Sequence, residues 1–106
     1  MKIKDGVILA GLDIEMRPVL IAADKIWKAH GQELVVTSGL EGTHSAGSMH
    51  YYGLALDFRT RYFEDDGAAV NVELQCELDN LFRGDYDVIL HSSHIHVEYD
   101  PEYDPK

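Results

Sequence analysis

A chain of 106 residues, 45% hydrophobic and 26% charged, has the length and composition of one folded domain spanning 1–106, with no linker or repeat. Its net charge of −10 argues against DNA, RNA or an anionic membrane surface as the main partner, because phosphate binding needs clustered Lys and Arg. Cys76 is the one cysteine, so no internal disulfide forms, and no apolar run reaches the length of a membrane span.

Met1 to Gly6 lacks the apolar stretch of a signal peptide, so export by that route is not expected. Residues 14 to 30 predict an amphipathic helix, with Met16, Val19, Leu20, Ala23, Ile26 and Trp27 recurring at steps of three and four. Asp13 is a candidate cap, but Pro18 would then fall just inside the helix, which makes a start near Arg17 the alternative. Gly31 is the expected stop. Glu33 to Ser38 predicts a strand centred on Leu34, Val35 and Val36. Residues 39 to 49 read as a polar, Gly-rich loop, Leu54 to Arg59 as a second strand, and Phe63 to Gly67 as a turn. Residues 68 to 82 predict a second helix, with Val70, Leu74, Leu78, Leu81 and Phe82 on one face and Cys76 as a small core residue. Gly84-Asp85 closes it. Tyr86 to Leu90 and His94 to Tyr99 are the last two strands, and the tail from Asp100 is expected to fray. The order predicts an α+β domain, a small and mostly antiparallel sheet backed by two helices.

Three clusters hold the residues with chemical potential: Ser48-Met49-His50, Gly53 to Asp57, and His91 to His96. Neutral imidazole and carboxylate are ordinary zinc donors, and a catalytic zinc site uses three protein ligands and leaves one position open. His50, Asp57 and one of His94 or His96 would supply that set. In a strand, His94, His96 and Glu98 share one face while Ile95 and Val97 take the other. A solvated polar face is the plainer explanation of the same alternation. Asp57 lies within Leu54-Ala55-Leu56-Asp57-Phe58, and a carboxylate among apolar residues needs a partner, either a metal cation or Arg59 or Arg61. Gly53 permits a tight turn between His50 and Asp57. His44 reads as a surface residue, His30 as a helix-end residue suited to the dipole, and Asp65-Asp66 as solvated charge. No HExxH, CxxC, P-loop or GxSxG motif is present.

Thr37-Ser38-Gly39, then Ser48-x-His50-x-x-Gly53-x-Ala55-x-Asp57, then His94-x-His96 resemble the zinc D-alanyl-D-alanine peptidase superfamily, which includes the M15 peptidases, many phage endolysins, the penicillin-insensitive murein endopeptidases and the zinc domain of hedgehog proteins. The resemblance covers residues 34 to 99 and implies a hedgehog/DD-peptidase-like α+β fold. It implies one Zn2+ held by His50, Asp57 and His96, with His94 beside the metal stabilising the charged intermediate. Many members carry a catalytic Glu where this chain has Ser93. The murein endopeptidases instead show His-x-x-His-x-His, which His91-Ser92-Ser93-His94-Ile95-His96 matches, so His91 becomes the candidate general base. Glu98 is a reserve base or a partner to a ligand. Many members also place a substrate-holding Arg after Ser-Gly, where this chain has Leu40-Glu41. Ser48 and Arg59, or Arg61, are the substitutes considered for binding substrate. The expectation is a monomeric, phage endolysin-like zinc peptidase that cuts peptide bonds of bacterial peptidoglycan, made in the cytoplasm and reaching the wall after release or with a virion. A non-catalytic zinc-binding module of hedgehog type, or a phage structural protein, is the alternative. A site of two His and one Asp also accepts other divalent ions.

Overall fold

The computed structural model describes residues 1–41, 53–82 and 86–99. Ser48, His50 and His44 lie outside the described residues. The chain begins with a short strand, β1 (Lys2–Ile3), and runs through a loop into a 3-10 turn at Ile14–Met16. Asp13 caps that turn, its side chain accepting from the Glu15 N–H at 3.0 Å. Helix α1 (Arg17–Ala29) follows with Pro18 in its first turn, where the missing N–H costs nothing. The proline thus divides the segment read as one helix into a 3-10 entry and an α-helical body. Gly31, with φ 79°, stops the helix.

Strands β2 (Val35–Ser38) and β3 (Ala55–Arg59) come next, then a 3-10 helix at Arg61–Asp66 in place of the expected turn. Helix α2 (Gly67–Phe82) leads to β4 (Tyr86–Leu90) and β5 (His94–Tyr99). The strands form one mixed sheet in the order β1-β2-β3-β5-β4. The β1–β2 pair is parallel and the other three pairs are antiparallel.

The apolar alternation determines which face of the sheet is covered. Val36, Leu56, Phe58, Ile95 and Val97 are all 0% exposed and belong to one cluster with Val19, Trp27, Leu74 and Leu78 from the two helices. Trp27 fixes α1 to the end of β3, its indole N–H donating to the Arg59 carbonyl at 3.1 Å. The Tyr86 hydroxyl donates to the Glu15 carbonyl and ties β4 to the first 3-10 turn. On the outer edge of β4, Gln75 of α2 accepts from the Val88 N–H at 3.0 Å and donates to the Tyr86 carbonyl at 3.0 Å. One side-chain amide therefore satisfies the edge as a neighbouring strand would.

Two further features depart from the sequence reading. Cys76 is exposed rather than buried. The buried face of α2 steps through Val70, Leu74 and Leu78 at intervals of four, and Cys76 falls on the opposite side. Strand β1 was not expected at all. It is held by the Lys2 N–H on the Leu34 carbonyl at 2.7 Å and the Lys4 N–H on the Val36 carbonyl at 3.0 Å.

Candidate metal centre

The pairing of β3 with β5 assembles the site. Asp57 stands opposite His96, Arg59 opposite His94, and Ala55 opposite Glu98. Since successive side chains point to opposite faces, the core takes Leu56, Phe58, Ile95 and Val97, and the face away from the helices takes Asp57, Arg59, His94, His96 and Glu98. All are partly buried; the side chains of His96 and Asp57 are 16% and 17% exposed, against 21% for Glu98 and 32% for His94.

His96 lies between two carboxylates. Its Nδ1 is 2.8 Å from Asp57 Oδ1 and its Nε2 is 2.9 Å from Glu98 Oε1. The hydrogen bond to Asp57, and after burial that to Glu98, act on its basicity; burial opposes them and loses, so the His96 pKa stands above the ordinary imidazole value. His94 Nε2 is 3.9 Å from the other oxygen of Asp57. The His91 N–H donates to the His94 carbonyl at 2.8 Å, which turns the connection between β4 and β5 back on itself. This lays the His91 ring over that of His94, with centroids 4.7 Å apart and planes 25° apart, and 6.4 Å from that of His96. From the other side of β3, the Thr37 hydroxyl donates to the Asp57 carbonyl at 3.4 Å, a long bond beside the irregularity between Val36 and Ser38.

Gly53 matters for backbone reasons. It has φ 72°, and a Cβ there would lie 2.5 Å from the Gly11 carbonyl oxygen. Its own carbonyl accepts from the Asp13 N–H at 2.9 Å. The N-terminal loop is thus pressed against the start of β3, in a conformation that L side chains rarely adopt.

Of the residues singled out in the sequence, Asp57, His94, His96, Glu98 and His91 are brought together on one face, with Arg59 beside His94. His50 and Ser48 lie outside the described residues. No family model, curated protein or solved structure matches the chain. Among the described residues, no three His, Cys, Asp or Glu side chains form a ready-made metal group. The donors nevertheless fit a divalent cation in kind: two imidazoles and a carboxylate on one face, with Glu98 behind His96 in the place where a ligating imidazole usually finds an orienting carboxylate.

Two participants were missed in the sequence. Lys4, one residue past β1, lines a cleft with Thr37, Arg59, Arg61, Ser93 and His94. The alternation Lys2-Ile3-Lys4 ahead of Asp5-Gly6 is the signal that points to it, a strand followed by a turn. Glu41 is the other. Its carboxylate accepts from the Ile8 N–H at 3.0 Å, the Gly39 N–H at 2.8 Å and the Ser38 hydroxyl at 3.0 Å. Burial alone would raise its pKa, but these donors outweigh burial and hold it below the usual Glu value. Glu41 thus pins the N-terminal loop to the end of β2.

Proposed function

We propose that the protein is a zinc-dependent peptidase of the hedgehog/DD-peptidase type, acting on peptide bonds of bacterial peptidoglycan. The observation that carries this reading is the constellation on the open face: Asp57 against His96, His94 within reach of Asp57, and His91 stacked on His94. His50, Asp57 and His96 are the residues that would hold the ion. Bound there, zinc supplies Lewis-acid polarisation of a peptide carbonyl and makes water a better acid near neutral pH.

The chain's own residues supply the rest. His91, the more exposed of the stacked pair, accepts the proton from the attacking water and returns it to the leaving amine. His94 donates a hydrogen bond to the carbonyl oxygen as it gains charge. Glu98 fixes the ring of His96, so that Nδ1 faces Asp57. Among the described residues the site lies on a sheet face and is not enclosed by the helices, which suits an extended, crosslinked peptide. Action on the wall after phage-type release, or as part of a virion, accords with this substrate.

A zinc-binding module without turnover is the second reading, favoured by Ser93 in the place of a catalytic Glu. Digestion of purified peptidoglycan with zinc-loaded protein beside a chelated control separates the two. Zinc-dependent new peptide termini, seen by mass spectrometry, are expected from a peptidase. With zinc bound and no termini released across several wall chemistries, the module is the better account. His91→Ala should keep its zinc and lose about 10²–10⁴-fold in turnover, the usual weight of a general base. Full turnover in that variant moves the base elsewhere, with Glu98 next.

A further inference from the structure

Strand β2 is irregular where it meets the candidate site. Val36 stands opposite Phe58, so a regular ladder would put Ser38 opposite Leu56; instead Ser38 stands opposite Asp57. The extra residue, Thr37, sits between them, and its hydroxyl donates to the Asp57 carbonyl at 3.4 Å. A bulge of this kind re-aims the side chains beside it and interrupts the ladder, so its shape has to be held from outside the ladder.

Glu41 holds it. One carboxylate oxygen accepts from the Gly39 N–H at 2.8 Å and the Ile8 N–H at 3.0 Å, and the other from the Ser38 hydroxyl at 3.0 Å. Two of these donors directly follow the bulge, and Ser38 is itself the partner of Asp57. The third belongs to the N-terminal loop, which is seated on the core through Val7, Leu9 and Leu12. The Leu40 N–H donates back to the Ile8 carbonyl at 2.9 Å. A Cβ at Gly39 would lie 2.5 Å from that same oxygen, so there is no slack between the loop and the end of β2. The loop is fastened a second time at the start of β3, where the Asp13 N–H meets the Gly53 carbonyl. Both strands that meet at Asp57 are thus tied to one loop, and Glu41 makes the tie on the β2 side.

We infer that Glu41 is a positioning residue for the candidate metal centre: by holding Ser38 and Gly39 against the N-terminal loop, it sets the end of β2 and, through it, the place of Asp57 relative to His96. This rests on the reading that Asp57 binds a divalent cation, and it adds a residue that acts on the cation without being its ligand. Partners that orient a ligand are commonly worth 10–100-fold in metal affinity.

The test reads two quantities on the full chain, at a temperature where circular dichroism shows each variant folded. One is Zn2+ affinity, by competition with a chromophoric chelator. The other is the imidazole 15N resonances of His96 in chelated protein, which report its Nδ1 bond to Asp57, 2.8 Å long. Glu41→Ala removes all three contacts and should weaken zinc binding about tenfold and shift those resonances. Glu41→Gln keeps an acceptor for Ile8 and Gly39 while its amide donates to the Ser38 hydroxyl, so it should restore most of both. Ser38→Ala deletes one contact and leaves the loop tied, and should move both readouts in the same direction by less. Ile26→Val, a trimmed core residue on the helical side, should lower the urea midpoint and change neither. A lower midpoint for Glu41→Ala with parental affinity and resonances would make Glu41 structural only and overturn the inference, as would equal effects from Ile26→Val. If the resonances respond as expected but the parent binds no zinc, the positioning role stands and the metal reading fails. Zinc bound by the parent with no response to Glu41→Ala or Ser38→Ala has the opposite meaning.

Discussion

Asp57 is the residue on which the site depends, since it reaches both His96 and His94 from the centre of β3. On the proposed zinc reading, Asp57→Ala is expected to bind no zinc, measured by atomic absorption on zinc-loaded and dialysed protein, and also to be less stable than the zinc-loaded parent, because binding an ion to the folded state adds to folding free energy. Retention of a full zinc equivalent would remove Asp57 from the ligand set. The same pair sets a pH dependence in chelated protein. His96 has a raised pKa in the folded state, so it binds its proton more tightly there than in the unfolded chain. Its stabilising effect is complete below the ordinary imidazole pKa of about 6.5 and disappears as pH climbs through the raised folded value. The urea midpoint of the chelated protein, compared with that of His96→Gln, should therefore show an advantage that shrinks on going from pH 6 upward. A constant difference across that range would mean the two carboxylates do not hold a proton on His96.

At the scale of elements, the strands and helices with clear periodicity were legible in the sequence and the short pieces were not. Four strands and two helices fall where the apolar alternation and the three-and-four spacing put them, to within three residues at their ends, the largest shift being the start of α1 at Arg17. Two-residue β1 is too short to show a period, and the 3-10 helix at Arg61–Asp66 has no apolar stripe. Of the site, the shared face of His94, His96 and Glu98 could be read from alternation alone. That Asp57 would stand opposite His96 could not, because strand register is fixed by tertiary packing between residues 39 positions apart. Gly53 was legible as a turn, but its tight approach to the loop at Gly11 was not. Gly53→Ala should cost about 1–3 kcal/mol in urea unfolding, from a left-handed backbone and a Cβ placed against a carbonyl oxygen. A loss within a few tenths would show that the N-terminal loop can yield.

Among the described residues, the molecule is a sheet with a helical side and a side that carries the candidate site. Helices α1 and α2 cover one face, and the other has the imidazoles and the carboxylates. Among the described residues, no helix is long and apolar enough to cross a membrane. Leu74, 0% exposed on α2, belongs to the core cluster on the helical side of the sheet, with Leu56, Phe58, Ile95 and Val97 and not on the face that carries Asp57 and His96. Leu74→Ala should cost about 2–5 kcal/mol, yet the fraction that remains folded should bind zinc with the same stoichiometry as the parent. A folded variant with less zinc would show that packing under the sheet sets the geometry above it.

The interleaving of the two faces affects how such a chain can change over time. Along β3 and β5, each residue that builds the interior is followed by one on the face of the candidate site: Leu56, Asp57, Phe58, and Ile95, His96, Val97. Point substitutions can therefore revise the chemistry one letter at a time without disturbing the interior. A single inserted or deleted residue within either strand would exchange the two sets, sending Asp57 or His96 into the helical layer and Phe58 or Ile95 into water. Length variation should be confined to the connections, and the two strands should keep their lengths fixed in any lineage that keeps the site.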